Sequence, residues 1–360
     1  MRGGSEAPVL LYGATGYTGR LIADALLARG IRPVLSGRDP AALDAVAALL
    51  GLGARAARLD APEALAAALR GVQVVLHAAG PFAQTAEPMV EACLRAGVHY
   101  LDITGEIAVF EALARRHPAA RARGVMIMPG VGFDVVPSDC LAAHVAARVP
   151  GARRLAIGIA GLRFTSRGSA KTIVEQVARG VTVRRGGVLT TIPAGLRWRR
   201  FDWGRGPEPG DAVSWGDVAS AYFTTGIPDV ATYFAREPAL QASLLASRWW
   251  GWLLGSAPWQ TILKAGADLL PAGPSAAERA QAAAVIVAEA SDDAGGIARA
   301  RLRTPEVYGF TARTAAAIVA RVLAGDVEPG FQTPARVFGP DFVLAFSGVA
   351  REELSGSAAW

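Results

Sequence analysis

The sequence is poor in the residues that build disulfide frameworks, metal sites and membrane spans. Its two cysteines, Cys93 and Cys140, lie in apolar helical patterns, so we expect packing residues rather than disulfide bonds or zinc ligands. Its four histidines have no metal-ligand spacing, and no metal is predicted. No uncharged stretch reaches the roughly 18 apolar residues of a spanning helix, and the first residues do not resemble a signal peptide. We therefore expect a cytoplasmic location.

Lysine is also scarce, since Lys171 and Lys264 are the only two among 37 basic residues. The net charge of +6 is compatible with an anionic cofactor or substrate. Because the arginines are scattered, apart from Arg197 to Arg200, no nucleic acid is expected. The Tyr-x-x-x-Lys pair of short-chain dehydrogenases and the Gly-x-Ser-x-Gly elbow of hydrolases are both absent, which excludes those two catalytic arrangements.

What the sequence has in abundance is apolar residues, 52% of 360, which is enough for two packed domains. Residues 1–135 alternate short apolar strands with helical patterns, including a strand over residues 57–59 and a helix after the expected N-cap Asp39. This alternation predicts an α/β fold with an N-terminal Rossmann domain, a doubly wound parallel sheet.

The pattern changes after about residue 135. A helix that begins at the expected N-cap Ser138 precedes strands with turn signals, and Asp292 to Gly296 is typical of a hairpin turn. We predict an inserted α+β second domain over residues 136–303 with a mostly antiparallel sheet, a substrate or dimerisation domain. Residues 304–360 are expected to return to the Rossmann domain.

The most informative motif is Gly-Ala-Thr-Gly-Tyr-Thr-Gly at residues 13–19. It follows an apolar strand and opens an amphipathic helix, which is the setting a dinucleotide loop requires. Gly13 permits a tight turn, Gly16 admits a pyrophosphate, and Gly19 lets the helix pack on the strand. The helix N-terminus then holds the phosphates.

The next strand ends in Ser36-Gly37-Arg38, where an arginine beside a hydroxyl favours the 2′-phosphate of NADP over NAD. Asp60 either accepts from the adenine amino group or caps the following helix. Residues 79–82 are expected to lie beside the nicotinamide. The predicted cofactor-binding residues are Gly13, Thr15, Gly16, Tyr17, Thr18, Gly19, Ser36, Arg38, Asp60, Ala79, Gly80, Pro81 and Phe82.

Several segments together resemble the saccharopine dehydrogenase-like oxidoreductases, and within them the branch of trans-acting enoyl reductases. They are residues 13–19, 36–38, 79–82, 100–106 (Tyr-Leu-Asp-Ile-Thr-Gly-Glu), 129–134 (Pro-Gly-Val-Gly-Phe-Asp), 304–309 (Thr-Pro-Glu-Val-Tyr-Gly) and 331–335 (Phe-Gln-Thr-Pro-Ala). The resemblance implies a Rossmann domain, an inserted substrate domain and a returning C-terminal segment. The substrates of the family range from amino-acid adducts to lipid chains.

Three polar residues are candidates for the chemistry. Asp134 follows a glycine-rich turn and resembles the substrate-side acid of saccharopine reductases. Lys171 lies near a glycine-rich helix start and is either an anion clamp, a general acid or a solvated lysine. Asp102 either reaches the site or fixes its loop through backbone hydrogen bonds. Glu106 is interpreted as a first-turn acid of the next helix.

Residues 244–259 contain four of the eight tryptophans. They are interpreted as a buried helix, a tunnel for a lipid-like substrate, or a surface that contacts a membrane through Trp249, Trp250 and Trp252. We favour an NADPH-dependent reductase of a C=C or C=N bond in an apolar, lipid-like or carrier-bound substrate, acting as a homodimer. The alternatives are a saccharopine-type amino-acid dehydrogenase and a non-catalytic NADP(H) sensor that docks on a membrane or partner.

Overall fold

The computed structural model describes residues 8–162, 166, 167, 170, 174 and 180–354. They fall into two compact units. The first contains residues up to Phe133 together with Tyr308–Thr333, and the second contains Asp134–Val307 together with the residues from Pro334 onward. Among the described residues, no helix is both long and apolar enough to cross a membrane.

The first unit is built on a seven-stranded sheet in which all the neighbouring strands are parallel. The strand order is β3-β2-β1-β4-β5-β6-β15. The strands are β1 Val9–Tyr12, β2 Val34–Gly37, β3 Ala54–Ala56, β4 Val74–His77, β5 His99–Asp102, β6 Met126–Met128 and β15 Gly330–Phe331. The helices of this part of the chain are α1 Tyr17–Leu27, α2 Pro40–Leu50, α3 Pro62–Ala68, α4 Phe82–Ala96, α5 Ile107–Ala114, α6 His117–Ala122 and α12 Val307–Leu323. This strand order confirms the predicted doubly wound Rossmann sheet.

The central strands of this sheet are buried because helices connect the parallel strands and cover both faces. All four residues of β1 and all four of β4 are buried, including the polar His77. Helix α2 begins as predicted, because the Asp39 carboxylate accepts a hydrogen bond from the Ala42 amide at 3.2 Å.

The second unit contains a nine-stranded mixed sheet with the path β10-β11-β12-β7-β13-β14-β16, and β8 joins it to β9. Only the β12–β7 pair is parallel among the strands described. The strands are β7 Arg154–Ala160, β8 Val181–Arg185, β9 Val188–Ile192, β10 Trp198–Asp202, β11 Pro207–Val213, β12 Asp229–Ala235, β13 Ala283–Ser291, β14 Ile297–Pro305 and β16 Ala350–Glu353. The helices are α7 Val136–Ala147, α8 Asp217–Thr225, α9 Pro238–Leu254, α10 Ala257–Asp268, α11 Ala276–Gln281, α13 Pro334–Phe338 and a 3₁₀ turn, Phe342–Ala345. The mostly antiparallel sheet that was predicted is confirmed.

The core of the second unit depends on a close approach at Gly158 in β7. A Cβ on this residue would lie 2.6 Å from Trp203 and 2.8 Å from Phe201. The two rings pack against each other with centroids 5.1 Å apart, and Phe201 also meets Tyr233. The missing side chain therefore lets the ribbon that carries β10 fold over the face of the sheet.

Some local predictions are confirmed and others are wrong. The β13–β14 hairpin forms, and the Asp292 side chain accepts from the amides of Ala294 and Gly296 in its turn. The strand expected at residues 57–59 lies at 54–56 instead. Ser138 does not cap α7, because the helix begins two residues earlier and the Ser138 hydroxyl donates to the Val135 carbonyl.

The C-terminal segment is divided between the units, which corrects the expectation that all of residues 304–360 return to the Rossmann domain. Tyr308–Thr333 does return and supplies β15. Residues from Pro334 onward stay with the second unit, because β16 pairs antiparallel with β14 and extends its sheet.

Candidate cofactor and catalytic site

The loop at residues 13–19 has the geometry of an anion cradle. The amides of Gly13 and Ala14 donate to the Ser36 carbonyl, and the Gly16 amide donates to the Gly13 carbonyl at 3.1 Å. Helix α1 then starts from Gly16 without a side-chain cap and with no acidic residue in its first turn. Because neither a cap nor a carboxylate offsets it, the positive end of α1 is suited to a phosphate.

Two glycines of the motif lie where the backbone is too close for any side chain. Gly13 has φ +87°, and a Cβ there would lie 2.8 Å from the Ala78 and Ala79 backbone. At Gly19 a Cβ would lie 2.2 Å from the Gly13 carbonyl oxygen. Gly16 and its neighbours Thr15, Tyr17 and Thr18 are at least partly exposed, so the outer rim of the loop is accessible. The loop therefore fits a closely approaching pyrophosphate.

The end of β2 contributes two predicted residues in different ways. Arg38 is exposed, as a 2′-phosphate ligand must be. Ser36 is fully buried, and its hydroxyl donates to the Arg55 carbonyl at 2.7 Å. That hydroxyl is thus engaged within the sheet, and the contribution of Ser36 to the loop is its carbonyl, which holds Gly13 and Ala14.

Asp60 does not cap the following helix, and its hydrogen bond with the adenine amino group stays a prediction. It forms a two-pronged ion pair with Arg58, with N–O distances of 3.0 and 2.7 Å. Helix α3 is preceded by Ala61 and has no side-chain cap. Arg58 was missed by the sequence analysis, although its place after β3 and two residues before Asp60 was a usable signal. The charges of Arg38, Arg58 and Asp60 all act on the pKa of Tyr12, which places them around one residue at the end of β1.

The segment Ala79-Gly80-Pro81-Phe82 is fixed by a carboxylate from the next strand end. Both oxygens of Glu106 accept hydrogen bonds at 2.8 Å, one from the Phe82 amide and one from the Ala83 amide. Glu106 therefore neutralises the N-terminus of α4 rather than only starting its own helix. The Gly80–Pro81 peptide is cis. The four residues remain at least partly exposed, which suits their predicted place beside the nicotinamide.

His77 lies beneath this segment and is fully buried. Its Nε2 is 3.0 Å from the Thr85 hydroxyl, which itself donates to the Ala79 carbonyl at 2.7 Å. Burial lowers the pKa of His77 to about 3, so the ring is neutral and its Nε2 carries the proton that Thr85 accepts. The ring also stacks on Tyr12 at 5.2 Å. This set of contacts supports the segment from within.

Asp102 fixes its loop through backbone hydrogen bonds, which is one of the two roles that the sequence suggested for it. Its side chain is fully buried, one oxygen accepts from the amides of Thr104 and Gly130, and the other accepts from the Tyr100 hydroxyl. Burial raises the pKa of Asp102 to about 7 despite these hydrogen bonds. It joins the loops after β5 and β6, and this is the action of a positioning residue.

Asp134 stands at the start of the second unit and is half-buried. Its carbonyl accepts from the Trp215 indole at 3.0 Å, whereas its carboxylate has no hydrogen-bond partner among the described residues. Burial raises the pKa of Asp134 to about 7. Asp217 is fully buried in the same neighbourhood, and desolvation holds its pKa well above the ordinary value although the nearby Ser138 side chain acts to lower it. Lys171 lies outside the described residues.

Asp139, which the sequence analysis did not single out, ties three elements of the second unit together. Its carboxylate accepts from the Thr224 hydroxyl at 2.5 Å and from the Ala335 amide at 2.8 Å. The second contact explains why Pro334 and Ala335 remain with this unit. Both cysteines are buried, as expected of packing residues.

The tryptophan-rich segment is not core. No residue of α9 is buried, and Trp249, Trp250 and Trp252 are 66%, 59% and 78% exposed. Non-helical backbone angles at Trp250 interrupt α9. The interpretation as a buried helix is therefore wrong.

Comparison with known proteins bears on the first unit. Residues 9–128 match the family model of the saccharopine dehydrogenase NADP binding domain. This match confirms the predicted resemblance and NADP as the cofactor. A trans-acting enoyl reductase from Mycobacterium leprae is 39% identical over 142 residues, which cover 37% of this chain and 34% of that protein. One from Mycobacterium bovis is 37% identical over 142 residues, with the same coverage. The chain thus spans about a third of the length of these relatives.

A solved structure extends the likeness to the whole fold. Apo saccharopine dehydrogenase (L-Glu forming) from Saccharomyces cerevisiae aligns with a TM-score of 0.62 at 12% identity, covering 96% of this chain and 99% of that one. At such identity the likeness concerns the fold alone, and it confirms the predicted fold class.

Proposed function

We propose that the protein is an NADPH-dependent reductase of a C=C bond in an apolar, lipid-like or carrier-bound substrate. The observation that carries the proposal is the anion cradle at residues 13–19 inside a segment that matches an NADP binding domain. The choice of an enoyl substrate is supported by relatives named trans-acting enoyl reductase. The exposed tryptophans of the second unit favour an apolar substrate over an amino acid.

The described residues divide the work of binding. The amides at the start of α1 hold the pyrophosphate, Arg38 and Arg58 hold the 2′-phosphate, and Asp60 orients Arg58. Glu106 fixes the segment Ala79 to Phe82, which would bind the nicotinamide half. When bound, NADPH supplies a hydride. Ser36 and Asp102 act through the backbone that they hold.

Asp134 is the proton donor in this proposal. Its carboxylate is half-buried, has no partner among the described residues, and has a pKa of about 7, so it carries a proton at slightly acid pH. Asp217 is a buried acid nearby whose own pKa is raised by burial and, to a smaller extent, by the charges of Asp139 and Asp134. Lys171 and Asp102 stay as further predictions for the catalytic set, Asp102 in a positioning role.

The reaction is tested with NADPH deuterated at C4 and a panel of enoyl thioesters and imines. Deuterium found at the β-carbon of a saturated thioester supports the proposal. Transfer only to imines formed from an amine and an oxo acid would establish the saccharopine-type alternative. Tight NADPH binding without deuterium transfer to any acceptor would favour the alternative of a non-catalytic NADP(H) sensor.

The role of Asp134 is tested by Asp134→Asn. We expect kcat to fall about 100-fold or more, the usual scale for losing a general acid, while the Kd for NADPH is unchanged. The wild-type rate should fall as the pH rises through about 7 because the acid loses its proton, and the variant should lose this dependence. The exposed Asp44→Asn is the matched control, and an equal pH profile in wild type and Asp134→Asn would contradict the role.

We also propose peripheral contact with an anionic membrane through α9 and α10. Trp249, Trp250 and Trp252 present amphipathic rings to solvent, and the Arg248 guanidinium lies 5.3 Å from the Trp249 ring centre. Co-sedimentation with vesicles containing phosphatidylserine should be lost when the three tryptophans are changed to serine. Unchanged sedimentation of the triple variant would discard this contact.

The cytoplasmic location and the homodimer remain predictions. Light scattering coupled to size exclusion measures the mass directly, and a value near 37.3 kDa would reject the dimer.

A further inference from the structure

The loop that follows β6, residues 129–133, is held by helix α12 from a distant part of the chain. The Phe133 amide donates to the Thr311 hydroxyl oxygen at 2.9 Å, and the Thr314 hydroxyl donates to the Val131 carbonyl at 2.9 Å. All four residues are buried. Because a buried backbone group without a partner is costly, the two threonines supply hydrogen bonds that the loop cannot obtain from water.

Close packing accompanies the hydrogen bond between Phe133 and Thr311. Gly132 lies against Thr311, and a Cβ on this glycine would lie 2.8 Å from the threonine Cγ2 and 3.2 Å from its Oγ1. The Phe133 ring meets the Phe310 ring edge-to-face, with centroids 6.4 Å apart. Since close-packed interiors adjust little, the loop backbone should respond to the loss of a single atom at residue 311.

The start of the loop is fixed independently of α12. The Gly130 amide donates to the Asp102 carboxylate at 3.0 Å, and the Val131 amide donates to the Asp102 carbonyl at 2.8 Å. Asp102 therefore holds the first half of the loop, whereas Thr311 holds its last residue.

Asp134 is the next residue of the chain. Its carboxylate has no hydrogen-bond partner among the described residues, so its direction depends on the backbone from which it extends. The Asp134 carbonyl accepts from the Trp215 indole, and the amide of the preceding residue, Phe133, donates to Thr311. The contact with Thr311 thus acts one peptide unit before the acid.

We propose that Thr311 is a positioning residue for Asp134. By accepting from the Phe133 amide and packing against Gly132, it sets the backbone from which the carboxylate extends. Misplacing a reacting group by roughly 1 Å can slow a reaction by about 100-fold, so this contact bears on turnover without touching substrate. The effect on turnover rests on the proposed function, in which Asp134 donates the proton, whereas the positioning of the carboxylate does not.

The positioning is tested with two matched variants of the full chain saturated with NADP⁺. Thr311→Val keeps the branched shape and loses the hydroxyl, whereas Thr311→Ser keeps the hydroxyl and loses the methyl group. Carbon NMR of isotope-labelled aspartate follows the titration of Asp134, whose signal is identified by its loss in Asp134→Asn. We expect Thr311→Val to lower the pKa of Asp134 by about 1, because a released carboxyl regains water, and Thr311→Ser to leave it unchanged.

Turnover separates positioning from packing. Thr311→Val should lower kcat about tenfold with an unchanged Kd for NADPH, and Thr311→Ser should retain most of the wild-type rate. Combined with Asp134→Asn, Thr311→Val should lower kcat no further, since a residue that acts through another loses its effect with it. A role in packing alone predicts the larger loss in Thr311→Ser, which leaves empty the space that the methyl group fills.

Gly132→Ala is the second variant if Thr311→Val fails to fold, as judged by its melting temperature. Its added Cβ meets the Thr311 methyl group, so it should also lower the pKa of Asp134, and adding Thr311→Ser should partly restore it. An Asp134 titration that is the same in wild type and Thr311→Val, or a further fall in kcat in the double variant, would overturn the proposal. Failure of the proposed function would appear instead as a normal rate in Asp134→Asn. The titration still decides the role of Thr311 in that case, because it needs no turnover.

Discussion

The two units differ in how their buried polar groups are satisfied. In the first unit, Ser36, Asp102 and Glu106 give their side-chain hydrogen bonds mainly to backbone groups at neighbouring strand ends. Buried side-chain atoms without a partner in the described chain are fewer in the first unit, where His77 Nδ1 and Gln332 Oε1 are examples, than in the second. Those of the second unit include the hydroxyls of Ser220 and Thr232 and the Nε atoms of Arg199 and Arg301. Arginines also gather around a cavity there.

This difference concerns which groups, backbone or side chain, are available to a ligand in each unit. In the first unit, backbone groups are suited to supply the cofactor contacts, because a dinucleotide is recognised largely by backbone amides and a helix N-terminus. Its side chains therefore serve to hold loops. The second half leaves more buried side-chain atoms without a partner among the described residues, and these atoms are free to meet a ligand's polar groups only if one binds there.

The largest effect is expected from Gly19→Ala, which tests whether the first unit depends on backbone contact. The new Cβ would lie 2.2 Å from the Gly13 carbonyl oxygen, and a backbone atom cannot move aside as a side-chain tip can. We expect a loss of about 3 kcal/mol in the free energy of unfolding and no measurable NADPH binding. Fluorescence titration and urea melts measure both.

Gly53→Ala is its control, because the added Cβ would meet only Val34 at 3.8 Å, an ordinary contact. If Gly19→Ala bound NADPH normally, the close approach of helix and loop would not matter for the cofactor.

The cofactor half was predictable from sequence because its geometry is local. The glycines at 16 and 19 and the acid at 39 act within a few residues of their own positions, whereas Gly13 lies against the distant backbone of Ala78 and Ala79. Prediction failed where a partner comes from another strand. Neither Ser36 bonding to Arg55, 19 residues away, nor Glu106 reaching Phe82, 24 residues back, has a local signal.

The second half was predictable only as a fold class. Strand periodicity and the turn at Asp292 predicted an antiparallel sheet, since these are local features. The arginine-lined cavity draws on residues from 154 to 291, and no spacing rule joins them. The tryptophans of α9 could not be placed from sequence either. An apolar run looks the same whether it is buried or exposed, and only the packing around it decides.

The second-largest effect is expected on the pH dependence of the free energy of unfolding, and it comes from Asp102. Its folded pKa of about 7 lies above the ordinary value of 3.8, so the proton is held more tightly in the folded state. The stability that this proton contributes is complete below about pH 4 and is lost as the pH rises through 7, by about 1.4 kcal/mol per pH unit at most.

Asp102→Asn removes this dependence and can keep the geometry. Its amide oxygen can accept from Thr104 and Gly130, and its NH₂ can donate to the Tyr100 hydroxyl oxygen. Urea melts between pH 5 and 8 should give a flatter stability profile for the variant. A wild-type slope in Asp102→Asn would mean that other acids, Asp217 among them, carry the dependence.

A smaller loss is expected from Glu106→Ala, which removes the clamp on α4. Two charge-assisted hydrogen bonds to the amides of Phe82 and Ala83 disappear, but those amides can then meet water. We expect about 2 kcal/mol of lost stability and a raised KM for NADPH. Glu87→Ala, in the same helix and exposed, should change either quantity little. Equal effects of the two changes would show that the hydrogen bonds accepted by Glu106 do not hold the segment.

The smallest effect on stability is expected from Trp252→Ser, and it sharpens the contrast between the halves. Trp252 is 78% exposed, so its removal should change the free energy of unfolding of the isolated chain by less than about 0.5 kcal/mol. Trp203, 9% exposed and packed over Gly158, is the contrasting tryptophan of the same unit. If the wild-type Tm instead depends on protein concentration, and Trp252→Ser lowers Tm and removes this dependence, a second copy covers this surface, because an interface links stability to concentration. A Tm that is unchanged and independent of concentration leaves the rings free for a membrane.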